Sequence, residues 1–245
     1  MALLKTEDVT VSFDGRTILE DISIQLHKGE VVSLLGVSGS GKTTLFNVIS
    51  GLLVPDSGRV YLNDADITGR AGHVSYMLQK DLLLPYRTII DNVALPLLIK
   101  GMNKKAARAE AQSYLAEFGL EGTEKKYPSQ LSGGMRQRAA FLRTYLFSGE
   151  AALLDEPFSA LDTITKSAMH RWYLDIMKQI RLSTLFITHD IDEAILLSDR
   201  VYILGGQPGR ITAEISIDHE DVQDRKFLLS EKFLSYKRTI SDAIG

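Results

Sequence analysis

Polar and apolar residues alternate from Glu7 to Phe13 and again from Ile18 to Leu26, on either side of the turn-forming pair Asp14-Gly15, so the chain is expected to open with an antiparallel hairpin. The pattern then changes. Glu30 to Leu35 is a short apolar run that leads into a glycine-rich loop, and Thr43 to Gly51 predicts a helix closed by its glycine. A second β-rich stretch lies around Gly58 to Leu62, and His73 to Gln79 predicts a buried strand. Thr88 to Lys100 and Lys104 to Phe118 have helical spacing, the latter setting Tyr114, Leu115 and Phe118 against a charged face. Strands resume at Ala151 to Leu154 and Thr184 to Thr188, with Ile164 to Ile180 helical between them. Val201 to Leu204 and Ile211 to Ile217 flank the turn GGQPGR, and Phe227 to Ile240 predicts an amphipathic helix.

Strands alternating with helices imply an α/β fold whose mostly parallel sheet is covered on both faces. The expected organisation is a single domain. Residues 1–80 and 150–205 form its core with an amino-terminal antiparallel β part, 81–149 form a helical insert, and 206–245 form a closing hairpin and helix. Composition narrows the chemistry. The net charge of −3 gives no electrostatic reason to expect a nucleic-acid partner, and the absence of cysteine excludes disulfides, thiolate metal sites and thiol nucleophiles. No run approaches the roughly 18 apolar residues of a membrane span, so the chain is expected in the cytosol unless another protein holds it at a membrane.

Three stretches carry candidate chemistry. Gly36, Gly41, Lys42 and Thr43 satisfy G-x-x-x-x-G-K-[ST], the pattern of a loop that wraps a triphosphate. Its glycines let backbone N–H groups turn inward, and the following helix N-terminus adds partial positive charge. Lys42 brings a full charge to the β and γ positions, and the Thr43 hydroxyl reaches Mg²⁺. Ser38, Gly39, Ser40 and Thr44 belong to the same cradle. Ala151 to Leu154 ends in Asp155 and Glu156, at the carboxyl end of a strand, where open α/β sheets present ligand-contacting groups. Alone, such a pair reads as a helix cap or a solvated turn. With the phosphate loop upstream, Asp155 is a candidate Mg²⁺ ligand and Glu156 a candidate general base for an attacking water. Leu131 to Arg138, LSGGMRQR, is a second glycine-rich helix start in which Ser132 could simply be a cap.

Taken in order, GVSGSGKTT, Gln79, LSGGM, ALLDE, SALD at Ser159 to Asp162 and His189 resemble ATP-binding cassette ATPases over residues 7 to 205. The resemblance implies a P-loop NTPase core and a head-to-tail pair of cassettes. In such a pair Ser132, Gly133 and Gly134 of one copy contact the γ-phosphate held by the other. It assigns His189 to the γ-phosphate and attacking water, Gln79 to Mg²⁺ or the water, Phe13 to the adenine face, and Asp162 to communication between the two sites. Hairpin packing for Phe13 and a helix cap for Asp162 remain open beside those roles.

A chain of this family without a span implies separate transmembrane permease subunits at the cytoplasmic face of the cell membrane, and Asp81 to Thr88 is the candidate contact. QKDLLLPYRTIIDNV and QPGRI are similar to the subfamily that energises import of nitrate, sulfonates, taurine or thiamine-precursor pyrimidines, usually with a solute-binding protein. Tyr86 and Gln207 depart from that subfamily's usual tryptophan and arginine. The competing readings are an exporter ATPase, a soluble cassette acting on ribosomes or DNA, and a P-loop kinase. The last leaves LSGGM and SALD without a role.

Overall fold

The computed structural model describes residues 1–148, 150–218 and 227–244, which form two compact units, Met1–Val74 with Leu182–Gly245 and Ser75–Arg181.

In the first unit, Asp14 and Gly15 both take positive φ (50° and 76°), the conformation of a two-residue hairpin turn. The turn joins β1 (Ala2–Phe13) to β2 (Arg16–Ile22), with Phe13 opposite Arg16 and Val11 opposite Leu19. The predicted second strand does not continue to Leu26. It breaks after Ile22 because side chains replace the ladder bonds there: the Ser23 hydroxyl accepts from Asp8 N at 2.9 Å, and the Thr6 hydroxyl donates to Ile22 O at 2.9 Å. The chain re-enters as β3 (Gln25–His27) on another part of β1. With β5 (Ser57–Leu62) and β6 (Ala65–Asp66), these strands make a five-stranded antiparallel sheet.

The parallel part of this unit is built on β4 (Val31–Leu35), every residue of which is buried. It lies parallel to β9 (Ser183–Thr188) on one side and to β10 (Arg200–Gly205) on the other, and β11 (Arg210–Ser216) adds antiparallel to β10. Continuous burial of β4 and β9 is what strands covered on both faces require. Helix α1 (Lys42–Ile49) follows the glycine-rich loop, and α7 (Ile191–Leu197) follows β9.

The tail folds back on this core. Phe227, in a short 3₁₀ turn, and Phe233 and Ile240 of α8 (Glu231–Ile244) are buried against Ala194, Ile195, Val201 and Ile203. Lys237 reaches Asp192 at 2.7 Å.

The second unit holds β7 (Ser75–Met77) and β8 (Ala151–Asp155), paired in parallel with Met77 opposite Leu154. Around them lie α2 (Ile89–Val93), α3 (Leu95–Ile99), α4 (Lys104–Leu115), α5 (Gly133–Ser148) and α6 (Thr163–Ile180). The single helix expected over Thr88 to Lys100 is two. Pro96 has no N–H to continue the α2 ladder, so the chain restarts with Pro96 in the first turn of α3. Phe118, Phe141, Trp172 and Tyr173 form the aromatic centre of this unit, with ring centroids about 6 Å apart.

Phe233→Ala should cost about 3–5 kcal/mol, the usual range for emptying a buried aromatic site. Urea unfolding of the full chain measures it, and a change under about 0.5 kcal/mol, the size of an ordinary surface substitution, would mean that the tail is not part of the core.

Candidate functional site

Each unit carries a share of the candidate residues. In the first, the buried strand β4 runs out at Gly36, and sterics dictate the glycine: a Cβ there would sit 2.3 Å from the carbonyl oxygen of Leu204. The loop then turns back to Gly41, which caps α1 at φ 101°, with the Leu19 side chain 2.6 Å from where a Cβ would be. No side chain caps this helix and no acidic residue lies in its first turn. Its leading N–H groups and the positive end of its dipole therefore suit a bound anion. Lys42 is 7% exposed. Its Nζ donates to the carbonyls of Gly36 and Val37, each at 2.8 Å, so the cation is pinned across the mouth of the loop. Val37, Ser38, Gly39 and Thr43 lie on the exposed side, while Ser40 is buried and Thr44 is partly so. These residues fit a phosphate chain: an uncapped helix start and a held cation.

His189 enters this half through strand register. Leu35 of β4 pairs with Thr188 of β9, so the next residues, Gly36 and His189, leave the sheet at the same edge. The turn after His189 is tied down. Thr188 Oγ1 donates to the Glu193 carboxylate at 2.7 Å inside the protein and accepts from Asp190 N at 3.0 Å. Asp190 in turn caps α7 through Asp192 N and Glu193 N. His189 itself is exposed, as is Phe13 at the tip of the β1–β2 hairpin, 46% accessible.

In the second unit, β8 ends at Asp155, which is buried and accepts a hydrogen bond from Tyr76 at 3.3 Å. Burial, and then the charge of Asp155, push the Tyr76 hydroxyl well above its ordinary pKa, so it remains a donor to the carboxylate. Glu156 follows at φ 45°, a left-handed conformation that a non-glycine residue adopts at a cost and that turns its side chain off the strand. The turn is fixed by Ser159, whose N–H and hydroxyl donate to Glu156 O at 3.2 and 3.0 Å. Gln79 meets Glu156 because the β7–β8 register extends two residues past Met77 and Leu154, and its Nε2 donates to Glu156 Oε2 at 3.0 Å. Gln79, Asp155 and Glu156 thus cluster at one strand end. Tyr76 and Ser159 complete the cluster. Ser159 lay inside the SALD motif, whereas nothing in the local pattern around Tyr76 marked its bond to Asp155.

The signature stretch starts α5. Ser132 is exposed and its hydroxyl accepts from Met135 N at 3.3 Å, so it is a helix cap in this chain whatever else it contacts. Gly133 lies near Leu161, and Gly134 near Thr165 and Met169, at ordinary van der Waals distances for an added Cβ. Asp162 caps α6, accepting from Ile164 N and Thr165 N at 3.1 Å and from the Thr165 hydroxyl at 2.6 Å, and these bonds lower its pKa.

Between β7 and α2, the segment Asp81 to Thr88 is fastened from beneath. Fully buried Asn92 accepts from Leu84 N at 2.6 Å and donates to the carbonyls of Leu84, Arg87 and Thr88. Arg143 donates to the carbonyls of Asp81 and Leu82. Above these ties Leu82, Leu84 and Tyr86 face outward, and Tyr86 is 94% exposed.

Comparison with known proteins shows the family. A family model described as ABC transporter matches residues 19–159. The formylaminopyrimidine import ATP-binding protein ThiZ of Halalkalibacterium halodurans is 45% identical over 216 residues, 88% of this chain and 84% of that protein. The nitrate import ATP-binding protein NrtD of Synechocystis sp. is 37% identical over 251 residues, 98% and 94% of the two chains. Among solved structures, the dimeric post-hydrolysis state of the ATP-binding cassette MJ0796, bound to ADP and Pi, matches with a TM-score of 0.74 at 28% identity, covering 88% of this chain and 99% of that one.

Thr188→Val removes the buried donor to the Glu193 carboxylate and the acceptor for Asp190 N. A loss of about 1.5–3 kcal/mol is expected in urea unfolding, together with faster amide exchange at residues 189–193. Exchange at the parent rate would mean that the turn carrying His189 is held by other contacts.

Proposed function

Since this chain belongs to the ABC transporter family, and is therefore an ATPase, we propose that it is the ATP-hydrolysing subunit of an importer, working as a pair with a second copy of itself on separate transmembrane permease subunits. One observation carries the catalytic part of this reading: a carboxylate, Glu156, held out of a buried strand in a left-handed turn by Ser159 and hydrogen-bonded to Gln79.

In this reading the loop N–H groups from Gly36 to Thr44 and the ammonium of Lys42 bind the phosphates of ATP, while Phe13 stacks on adenine. Thr43, Gln79 and Asp155 are the oxygen donors for Mg²⁺, a set of hard neutral and anionic ligands that suits that ion. When bound, Mg²⁺ offsets charge that develops on the β- and γ-phosphates. Glu156 accepts a proton from water as the water oxygen bonds to the γ-phosphorus. The bond from that phosphorus to the bridging oxygen breaks, and ADP and phosphate leave. His189 orients the water and γ-phosphate from the edge of β9. Ser132, Gly133 and Gly134 of the second copy close over the γ-phosphate, so ATP binds the paired state better and favours it. Asp162, which fixes the start of α6, links the two sites.

The importer reading rests on the two import proteins named above and on the QPGRI and LLLPYRT stretches. Among the described residues no helix is long and apolar enough to cross a membrane. The proposed place is therefore the inner face of the membrane, where the outward Leu82, Leu84 and Tyr86 receive a permease segment. Candidate solutes are small: nitrate, a sulfonate such as taurine, or a thiamine-precursor pyrimidine delivered by a solute-binding protein.

Glu156→Gln should keep ATP binding, accumulate an ATP-bound pair on size exclusion, and lower turnover by about 10²–10⁴, the usual contribution of a general base. Turnover at the parent rate would remove Glu156 from that role. Reconstitution with co-purifying membrane subunits should give ATP hydrolysis that one of the named solutes stimulates through its binding protein. ATP-driven efflux in the same vesicles would replace the importer with an exporter.

A further inference from the structure

The turn between β10 and β11 does more than join two strands. Gly209 N donates to Ile18 O at 2.8 Å and Gly209 O accepts from Glu20 N at 3.0 Å, so the turn forms a short parallel bridge to β2 at Leu19. Side chains repeat the attachment. Arg210 pairs with Glu20 through both ends of its guanidinium, at 2.7 and 3.2 Å, and Arg16 Nη2 donates to Gln207 Oε1 at 3.3 Å.

The other side of the same turn faces the phosphate loop. A Cβ at position 209 would lie 2.4 Å from the backbone oxygen of Ser40, closer than any side chain could sit without moving the loop. Leu19, whose backbone the turn bridges, presses its side chain on Gly41, and the carbonyl of Leu204, just before the turn, blocks Gly36. Of the two glycines that frame the phosphate loop, Gly41 is closed off by β2 and Gly36 by the end of β10, while the turn between β10 and β11 closes on Ser40 between them.

We propose that the Gly206–Arg210 turn is a clamp on the phosphate loop. Gly209 and Arg210 act in it as positioning residues that hold Ser40 and the β1–β2 hairpin in register, and so hold the phosphate-binding and adenine-facing parts at a fixed spacing. The proposal deepens the ATPase reading and rests on it. A clamp acts on ground-state and transition-state binding alike, so its loss appears in KM rather than kcat.

The experiment compares the full chain with Gly209→Ala, Arg210→Ala and the charge exchange Glu20→Arg/Arg210→Glu, by ATPase kinetics and by amide exchange at residues 36–41 without nucleotide. Gly209→Ala should raise KM for ATP about tenfold with kcat within about twofold, and Arg210→Ala, which breaks an exposed pair, about threefold. The exchange variant should return KM toward the parent value. Loop amides should exchange faster in both single variants. Parent KM and parent exchange in Gly209→Ala overturn the clamp. If that variant does not fold, parent values in Arg210→Ala overturn it instead. A parent chain without ATPase activity overturns the functional reading, whereas the exchange measurement reads the clamp by itself.

Discussion

A buried cation organises the amino-terminal unit. Lys42 is largely shielded from bulk water, and an ammonium taken from water must be compensated by good acceptors. The carbonyls of Gly36 and Val37 supply them, which ties the start of the loop to the start of α1. The same requirement explains why the surrounding elements approach so closely. Leu204, Leu19 and Gly209 crowd the loop at Gly36, Gly41 and Ser40, so a glycine-rich sequence is hemmed in at both of its ends. Fully buried β4 is the base on which this is built, because a strand covered on both faces and flanked by β9 and β10 cannot slide in register.

The strand-end carboxylates depend on a parallel arrangement in the other unit. Short β7 and β8 end within a residue of each other, and their register together with the Ser159-bonded turn brings Gln79 to Glu156. Where regular pairing ends, side-chain and backbone bonds from Tyr76 and Ser159 take over. The cost of the left-handed Glu156 is borne by those bonds and by the buried strand behind it.

Much of this was legible in the sequence where the chemistry permits few residue types. Gly36 to Thr43 stands out because few other patterns satisfy the same demands, and it is this loop that gives meaning to the otherwise ordinary strand-end pair Asp155-Glu156. Elements whose cause is local were legible too, such as the Asp14-Gly15 turn and the amphipathic tail. The break between α2 and α3 was written at Pro96, but the helical spacing of its neighbours masked it. What the sequence hid is contact across long separations. Tyr76 with Asp155, Asn92 beneath Leu84 to Thr88, and Gly209 against Ser40 are contacts that no local pattern around those residues marks. Ser132 and Asp162 show the reverse. Both are ordinary helix caps by geometry, and the larger roles proposed for them rest on family resemblance rather than on the bonds they make here.

The ties from Asn92 and Arg143 give the segment Asp81 to Thr88 a mechanical character. Its outward apolar side chains ride on a backbone whose freedom was given up during folding, so a partner that lands on Tyr86 has little further ordering to impose. A stiff segment of this kind passes displacement on instead of absorbing it. It begins two residues after Gln79, whose side chain is bonded to Glu156, so only a short run of backbone separates the strand-end carboxylate from the outward face at Tyr86.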